Sequence, residues 1–541
     1  MFYFISSWYS KDEQWFAKDN SWYRKETPYA FDDTINQLRM FREAKESAEL
    51  LILSYAPGLR LFLHRQGLYP TPYWSAFDMM QGIRGQELGL FSYLDLSWPR
   101  DMVWRYTPFT VVGFCKGKKY ARVEFGEEGR VIWIEYYNLN GEICHRDIYD
   151  DRGFLSSTVV FQCGRMVRQE FYDENGILQF TENKETGEVR VTSDGRHQFR
   201  KKTYDSLQSA LEEMLRNRFV QMDPDATVVI AANAVHNQMI MESRKGQPVV
   251  LSFFEDRYDI ANEEKLRCDL AQASFAVTDT ENVAQKIREA ADAGFPVYDI
   301  SPFDTRLSLG KSQMIRELKV YMPITGLEPQ LLQMALEQVI AYMVKNQRVE
   351  LYLVIAEESE KETQELVALV NDILVQNGIK AFGICMEGGP VTRNECMGEE
   401  EEIPGRIIIT AVRSENEVIR KLYDVRLILD VRDQPDLYLQ IAGISAGIPQ
   451  INYRFTRYVQ HQRDGYIIQN IHYITGALEY YLDGLKHWNE ALVYCVKEIE
   501  RHNGETLVAQ WKAGMARSVG ETLAMEGNVV ATLQGTGAVY E

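Results

Sequence analysis

From residue 105 to 204 the sequence writes strand after strand and nothing else: "RVIWIEYYNLNGEICHRDIYDDRGFLSSTVVFQCGRMVRQEFYDENGILQFTENKETGEVRV". Turn signals recur at 138–142, 150–154, 173–177 and 185–189, each containing Gly together with Asn, Asp or Thr. Such residues supply the positive φ angles of tight hairpins, and apolar and polar residues alternate between them. The segment therefore predicts an antiparallel meander of about six to eight strands. No helix can be threaded through it, so the rest of the chain must fold around it.

That rest alternates strand and helix signals. "FYFISSWY" and "ELLILSYA" (49–56) read as buried strands, with an amphipathic helix at 32–47 between them. The pattern resumes at 205 with a helix and four apolar strands, and again near 316 with a second run of strand–helix units. The expected architecture is α/β. Residues 1–104 and 205–315 form one Rossmann-like domain, interrupted by the sheet insertion at 105–204. Residues 316–475 form a second Rossmann-like domain, and 476–541 form closing helices that pack across the domains. The acidic run "GEEEEIPG" (398–405) reads as a solvated loop.

Composition narrows the function classes. The chain has 541 residues, 45% hydrophobic and 12% aromatic, enough for several packed cores. Its net charge of −19 disfavours nucleic-acid binding, which needs a basic footprint. From 105 to 205 there are 16 Lys/Arg and 16 Asp/Glu, so the insertion is neutral and the remainder carries the whole excess. Two basic clusters flank it: Lys116, Lys118, Lys119 and Arg122 near its start, Arg200, Lys201 and Lys202 near its end. They form a candidate contact surface for a partner, a glycan-coated chain or anionic lipid. The seven cysteines contain no CxxC pair, the eight histidines show no metal-ligand spacing, and no P-loop string occurs. No metal and no cofactor are expected. No apolar stretch is long enough to span a bilayer, and the first residues lack a signal-peptide pattern. A cytoplasmic chain, able to meet the inner membrane face only from the side, is the expectation.

"GISAG" (443–447) spells the G-x-S-x-G of a serine-hydrolase elbow. That elbow needs its serine on a turn after a strand and before a helix. Here a strand (426–432) and a short helix precede the motif and a strand (448–453) follows it. Ser445 therefore closes a helix, and the small residues let that helix approach a sheet.

Two α/β blocks in one chain, and a strand–helix–"SAGIPQI"–strand order similar to the donor loop "EAMACGTPVI", resemble GT-B glycosyltransferases. The resemblance implies two Rossmann-like halves facing a cleft, with the sugar nucleotide held mainly by the C-terminal half. Retaining members carry E-x7-E at the donor site. Aligning Gly447 and Pro449 with that loop puts the two carboxylate positions on Gln434 and Ala442. Asp433 and Asp436 are nearby, but neither has a carboxylate eight positions on. The cations that offset a leaving diphosphate are missing too: residues 320–344 contain no Lys or Arg, and Glu328 would oppose the phosphate. The glycine-rich step expected after the first strand is replaced by "SSWYSKDEQW". Gln434, Ala442, Gly443, Ser445, Gly447 and Pro449 thus mark a degenerate donor site with no catalytic residue. An enzyme with a rearranged site, using Asp433 or Asp436, is the alternative.

Over nearly its whole length, from "MFYFISSWYS" through the insertion to "DVRDQPDLYLQIAGISAGIPQIN", the chain resembles the glycosyltransferase-like component of the bacterial accessory Sec system, the first of its three accessory secretory proteins. The resemblance implies a GT-B fold without transferase activity, a complex with the other two accessory secretory proteins, and cooperation with the accessory SecA motor. The implied cargo is a glycosylated serine-rich-repeat adhesin.

Overall fold

A computed structural model of the protein describes every residue except 11–12, 18, 24–31, 90, 127, 302, 305, 357–358, 393–402, 457 and 517–541. Most of the acidic run predicted as a loop at 398–405 lies outside the described residues. The chain divides into two compact units, Met1–Ile300 together with the chain from Val508, and Ser301–Leu507.

The first unit is built on a parallel sheet in the order Val297–Asp299, Phe275–Thr278, Val249–Phe253, Thr227–Ala231, Phe2–Ile5, Ala48–Ile52, Tyr73–Ser75. Its central strands read as unbroken apolar runs because helices cover both faces. Strand order reverses between Phe2–Ile5 and Thr227–Ala231, so a crevice opens at their carboxyl ends. Trp511 is fully buried in this unit, its ring 5.3 Å from Phe41 and 5.7 Å from Phe275.

The insertion is a single antiparallel sheet of ten strands, from Met102–Tyr106 to Thr203–Tyr204, rather than six to eight. The four predicted turns each hold a glycine in the left-handed region: Gly141, Gly153, Gly176 and Gly187. The sheet shares a core with its host, where Phe171 and Phe180 stack at 4.4 Å and Phe171 meets Tyr55 at 5.4 Å. At the other end the sheet has a separate core, with Tyr93, Trp98 and Trp104 over Val111, Val123 and Ile134.

The second unit carries an eight-stranded sheet ordered Val391–Thr392, Gly383–Met386, Gly405–Ala411, Val349–Ile355, Leu318–Pro323, Val425–Asp430, Gln450–Asn452, Gly465–Ile467. Among these described strands, only Val391–Thr392 runs antiparallel to its neighbour. Strand order reverses between Leu318–Pro323 and Val425–Asp430, which places a second crevice there. Helices Ile474–Leu482 and Leu485–Arg501 complete this unit.

Candidate functional site

In the second unit, the crevice is floored by the loop 431–436 and by helix Leu437–Ala446. Asp436 caps this helix, accepting from Leu439 N at 2.7 Å. Gly447 ends it in the left-handed conformation, φ 70°. A Cβ on Gly443 would stand 2.9 Å from Ile428 Cδ1 and 2.5 Å from Gln450 Nε2, so only glycine lets the helix lie this close to the sheet. The Pro449 carbonyl accepts from Ile428 N at 3.1 Å, and the chain leads on into the next strand. The structure thus assigns the small residues of "GISAGIPQ" to packing.

Ser445 is 1% exposed. Its hydroxyl donates to Ile441 O at 2.7 Å and accepts from Asp304 N at 2.7 Å. The hydroxyl is thus spent on backbone in both directions, and it ties Asp304 to the helix end. Ser445→Ala leaves a buried amide unpaired, and urea unfolding should read a loss of about 1–3 kcal/mol in the second unit's transition.

The carboxylates and cations around the crevice are paired with each other. Asp430 holds Arg432 through Nε at 2.9 Å and Nη2 at 2.6 Å. Asp433 is exposed and pairs with Arg454 at 2.5 Å. Gln434 is exposed and Ala442 fully buried in the helix. Glu328 lies exposed where helix Pro329–Lys345 begins. The described part of this crevice therefore presents no free cation to a diphosphate; Arg432, on the loop itself, is neutralised by Asp430.

A polar cluster that periodicity could not reveal sits beside it. Arg306 grips buried Asp304 through Nε at 2.9 Å, reaches the Tyr438 hydroxyl at 3.2 Å, and approaches Glu415 at 3.5 Å. Burial, reinforced by Asp304, pushes the Glu415 carboxyl up to about 8 in spite of Arg306.

The crevice of the first unit holds a second unforeseen group. His236 is fully buried between Tyr9 and Ala231. The Ala231 carbonyl, 2.8 Å from Nε2, can only accept, so Nε2 carries the proton and Nδ1 accepts from the Tyr9 hydroxyl at 2.8 Å. Burial holds the imidazole neutral, its pKa pushed down to about 3. Beside it Asn233 Nδ2 donates to Ser7 Oγ at 2.7 Å, and Asn237 Nδ2 to Asp269 at 2.9 Å. This ring orients backbone and neighbours and stays uncharged near neutral pH.

The seven basic residues do not meet. Lys116, Lys118, Lys119 and Arg122 lie on the hairpin that includes the eighth strand counted from the Thr203–Tyr204 edge, and Arg200, Lys201 and Lys202 lie beside that edge. Seven strand spacings separate the groups by roughly 30 Å. Lys119 Nζ sits 3.8 Å above the Tyr137 ring, Lys118 donates to Leu139 O at 3.2 Å, and Arg122 pairs with Glu135 at 3.2 Å. Arg200 donates to Asn217 at 2.7 Å, and Lys201 lies 5.7 Å from the Tyr204 ring. Lys116 and Lys202 are exposed or nearly so. Among the described residues, no group of three His, Cys, Asp or Glu side chains could hold a metal ion, and no helix is long and apolar enough to cross a membrane.

A family model for the first Asp (accessory secretory) protein of the accessory Sec system matches residues 1–517. The chain belongs to this family. A relative of the same description from Streptococcus gordonii is 34% identical over 537 residues, covering 96% of this chain and all of the relative. A crystal structure of accessory secretory proteins 1, 2 and 3 from Streptococcus pneumoniae contains a chain superposing with a TM-score of 0.81 at 30% identity, over 96% of this chain and 100% of that one. The pneumococcal O-GlcNAc transferase GtfA, solved with UDP and GlcNAc, superposes with a TM-score of 0.64 at 10% identity over 96% of this chain and 99% of that one. Such distant identity speaks for fold alone. The fold is α/β and GT-B-like, with parallel Rossmann-type sheets and a ten-stranded antiparallel sheet.

Proposed function

We propose that the protein is a non-catalytic, glycosyltransferase-like adaptor of the accessory Sec system. It works in a complex with the other two accessory secretory proteins and assists the accessory SecA motor in exporting glycosylated serine-rich-repeat adhesins. The observation that carries the reading is the crevice of the second unit. Transfer from a sugar nucleotide needs charge placed to meet the departing diphosphate. There, Arg432 is bound to Asp430, residues 324–344 supply no cation, and Gln434 and Ala442 supply no acid. A relative 30% identical to this chain was crystallised together with the second and third proteins of its system, which favours the complex. An anionic membrane face is a further partner on this reading, met by Lys116 and Lys202 from separate places on the sheet.

The test is a calorimetric titration of the full chain with UDP-glucose and UDP-N-acetylglucosamine. No saturable heat is expected up to about 1 mM, the level at which binding free energy falls to roughly 4 kcal/mol. Micromolar binding with turnover of the donor would establish an enzyme with a rearranged site.

A further inference from the structure

The face of the ten-stranded sheet that carries Glu135 has a feature that folding alone does not explain. Arg122, Glu135 and Arg146 stand directly opposite one another on three adjacent strands. Arg146 Nη2 lies 2.7 Å and Arg122 Nε 3.2 Å from the Glu135 carboxylate, and the Tyr137 hydroxyl donates to it at 2.6 Å. In the row two residues along, Glu124 faces Trp133 across the strands. Glu124 is 0% exposed, yet neither of its oxygens accepts an aligned hydrogen bond. Its nearest partners are Arg122 Nε, 3.7 Å away, and the Tyr23 hydroxyl. Trp133 Nε1 and the Nε atoms of Arg122 and Arg146 are also buried without an aligned hydrogen-bond partner.

Buried polar groups are normally satisfied, and each one that is not costs roughly 1–3 kcal/mol. Five atoms here, three donors and two acceptors on two rows of three adjacent strands, lack an aligned hydrogen bond; Arg122 Nε has only its ion pairs with Glu135 and Glu124, and Glu124 only Arg122 and the Tyr23 hydroxyl. Their mixture selects the ligand. A phosphate would meet Glu124 and Glu135, and a cation would meet both guanidiniums. A neutral molecule whose hydroxyls donate and accept at once satisfies both sets. Arg122 and Arg146 are 34% and 31% exposed, so solvent reaches this row at those two side chains. Arg146 also lies 5.4 Å from the Trp133 ring, holding an apolar surface next to the polar row.

We infer that this sheet face, centred on Arg122, Glu135, Arg146 and Trp133, is a binding site for a neutral saccharide. It rests on the adaptor reading, to which it adds a ligand class. It also separates this patch from the exposed lysines of the same hairpin.

The experiment titrates the full chain with N-acetylglucosamine, glucose and their β-1,4-linked disaccharides, followed by saturation-transfer NMR and tryptophan fluorescence. Inorganic phosphate and a 20-residue Ser/Thr peptide are run beside them. The wild type should bind a saccharide saturably. Trp133→Phe, which keeps an aromatic ring but removes the donor, and Arg146→Gln should each weaken binding at least ten-fold with an unchanged circular-dichroism spectrum. The inference is overturned by three results: no saturable saccharide binding to the wild type, equal binding by both variants, or preference for phosphate or the peptide. Assembly with the two partner proteins is measured on the same variants. Intact assembly without saccharide binding sinks this site alone, whereas donor turnover sinks the adaptor reading.

Discussion

Arg60→Met should cost the first unit about 3–5 kcal/mol, because it takes one partner out of a buried ionic network. Arg60 is 1% exposed. Its Nε donates to Asp151 at 2.5 Å, its Nη2 to both oxygens of Asp150 at 3.1 Å, and Asp150 also takes Arg152, which reaches on to Asp78 at 2.8 Å. Asp151 accepts from Leu61 N at 3.0 Å as well. The network fastens the hairpin turn at 150–154 to the helix Leu59–Arg65 of the host domain, so it is the anchor of the insertion. Burial alone would lower the Arg60 pKa, but Asp150 and Asp151 hold it raised. Methionine fills similar space without charge, leaving buried Asp151 without its ion pair beside Asp150, which Arg152 still holds. Urea unfolding followed by circular dichroism should show the first unit's transition shifted to lower denaturant. Adding Asp151→Asn to the variant should recover part of the loss, since the unpaired buried charge is then gone. A shift below about 1 kcal/mol, the range of an exposed ion pair, would show that the network does not hold the insertion.

The same turn illustrates what a sequence reader can and cannot see. "DDRGF" announces a hairpin through Gly153, and the structure puts that glycine at φ 89°. That Asp150 and Asp151 meet Arg60, 90 and 91 residues earlier, is written nowhere in local pattern. The strand count fell short for a physical reason. Turns at 116–117 and 163–164 place Lys116 (φ 51°) and Cys163 (φ 49°) in the left-handed region, each followed by a left-handed glycine. Lysine and cysteine lack the Asn or Asp signature that marks such turns, so neither could be read as one. At the crevice, Gly443, Ser445 and Gly447 were legible as helix-packing and helix-ending residues because their constraints are local. Asp304 and His236 were not: their partners Ser445 and Tyr9 lie 141 and 227 positions away. The two basic clusters were legible as clusters, but a linear sequence hides the strands between them.

Asp464 makes the second unit's stability depend on acidity in the direction opposite to a salt-bridged carboxylate. It is 2% exposed, and Oδ1 accepts from Gln460 N at 2.7 Å while Oδ2 has no partner. Burial, helped by Glu498 and opposed by the Gln460 amide and Arg463, pushes its pKa from 3.8 up to about 6. Below pH 3.8 both folded and unfolded states hold the proton. Between 3.8 and 6 only the folded state does, so the unfolded state binds fewer protons and stability falls as pH rises. Above that window the folded state carries a buried charge with one unsatisfied oxygen. A shift of roughly two pKa units corresponds to about 3 kcal/mol. Asp464→Asn keeps the acceptor for Gln460 and cannot ionise. Relative to the parent, it should be more stable by up to about 3 kcal/mol at about pH 8, with the gain shrinking to nothing or reversing by about pH 4. Asp32 and Asp151 also titrate near 6 but belong to the first unit, and Glu415 of the second unit, pushed up to about 8, is shared by parent and variant, so subtracting the parent's curve for the second unit's transition isolates Asp464. Parallel stability curves for parent and variant across that pH range would mean that Asp464 ionises as freely folded as unfolded, and that Oδ2 has a partner in solution.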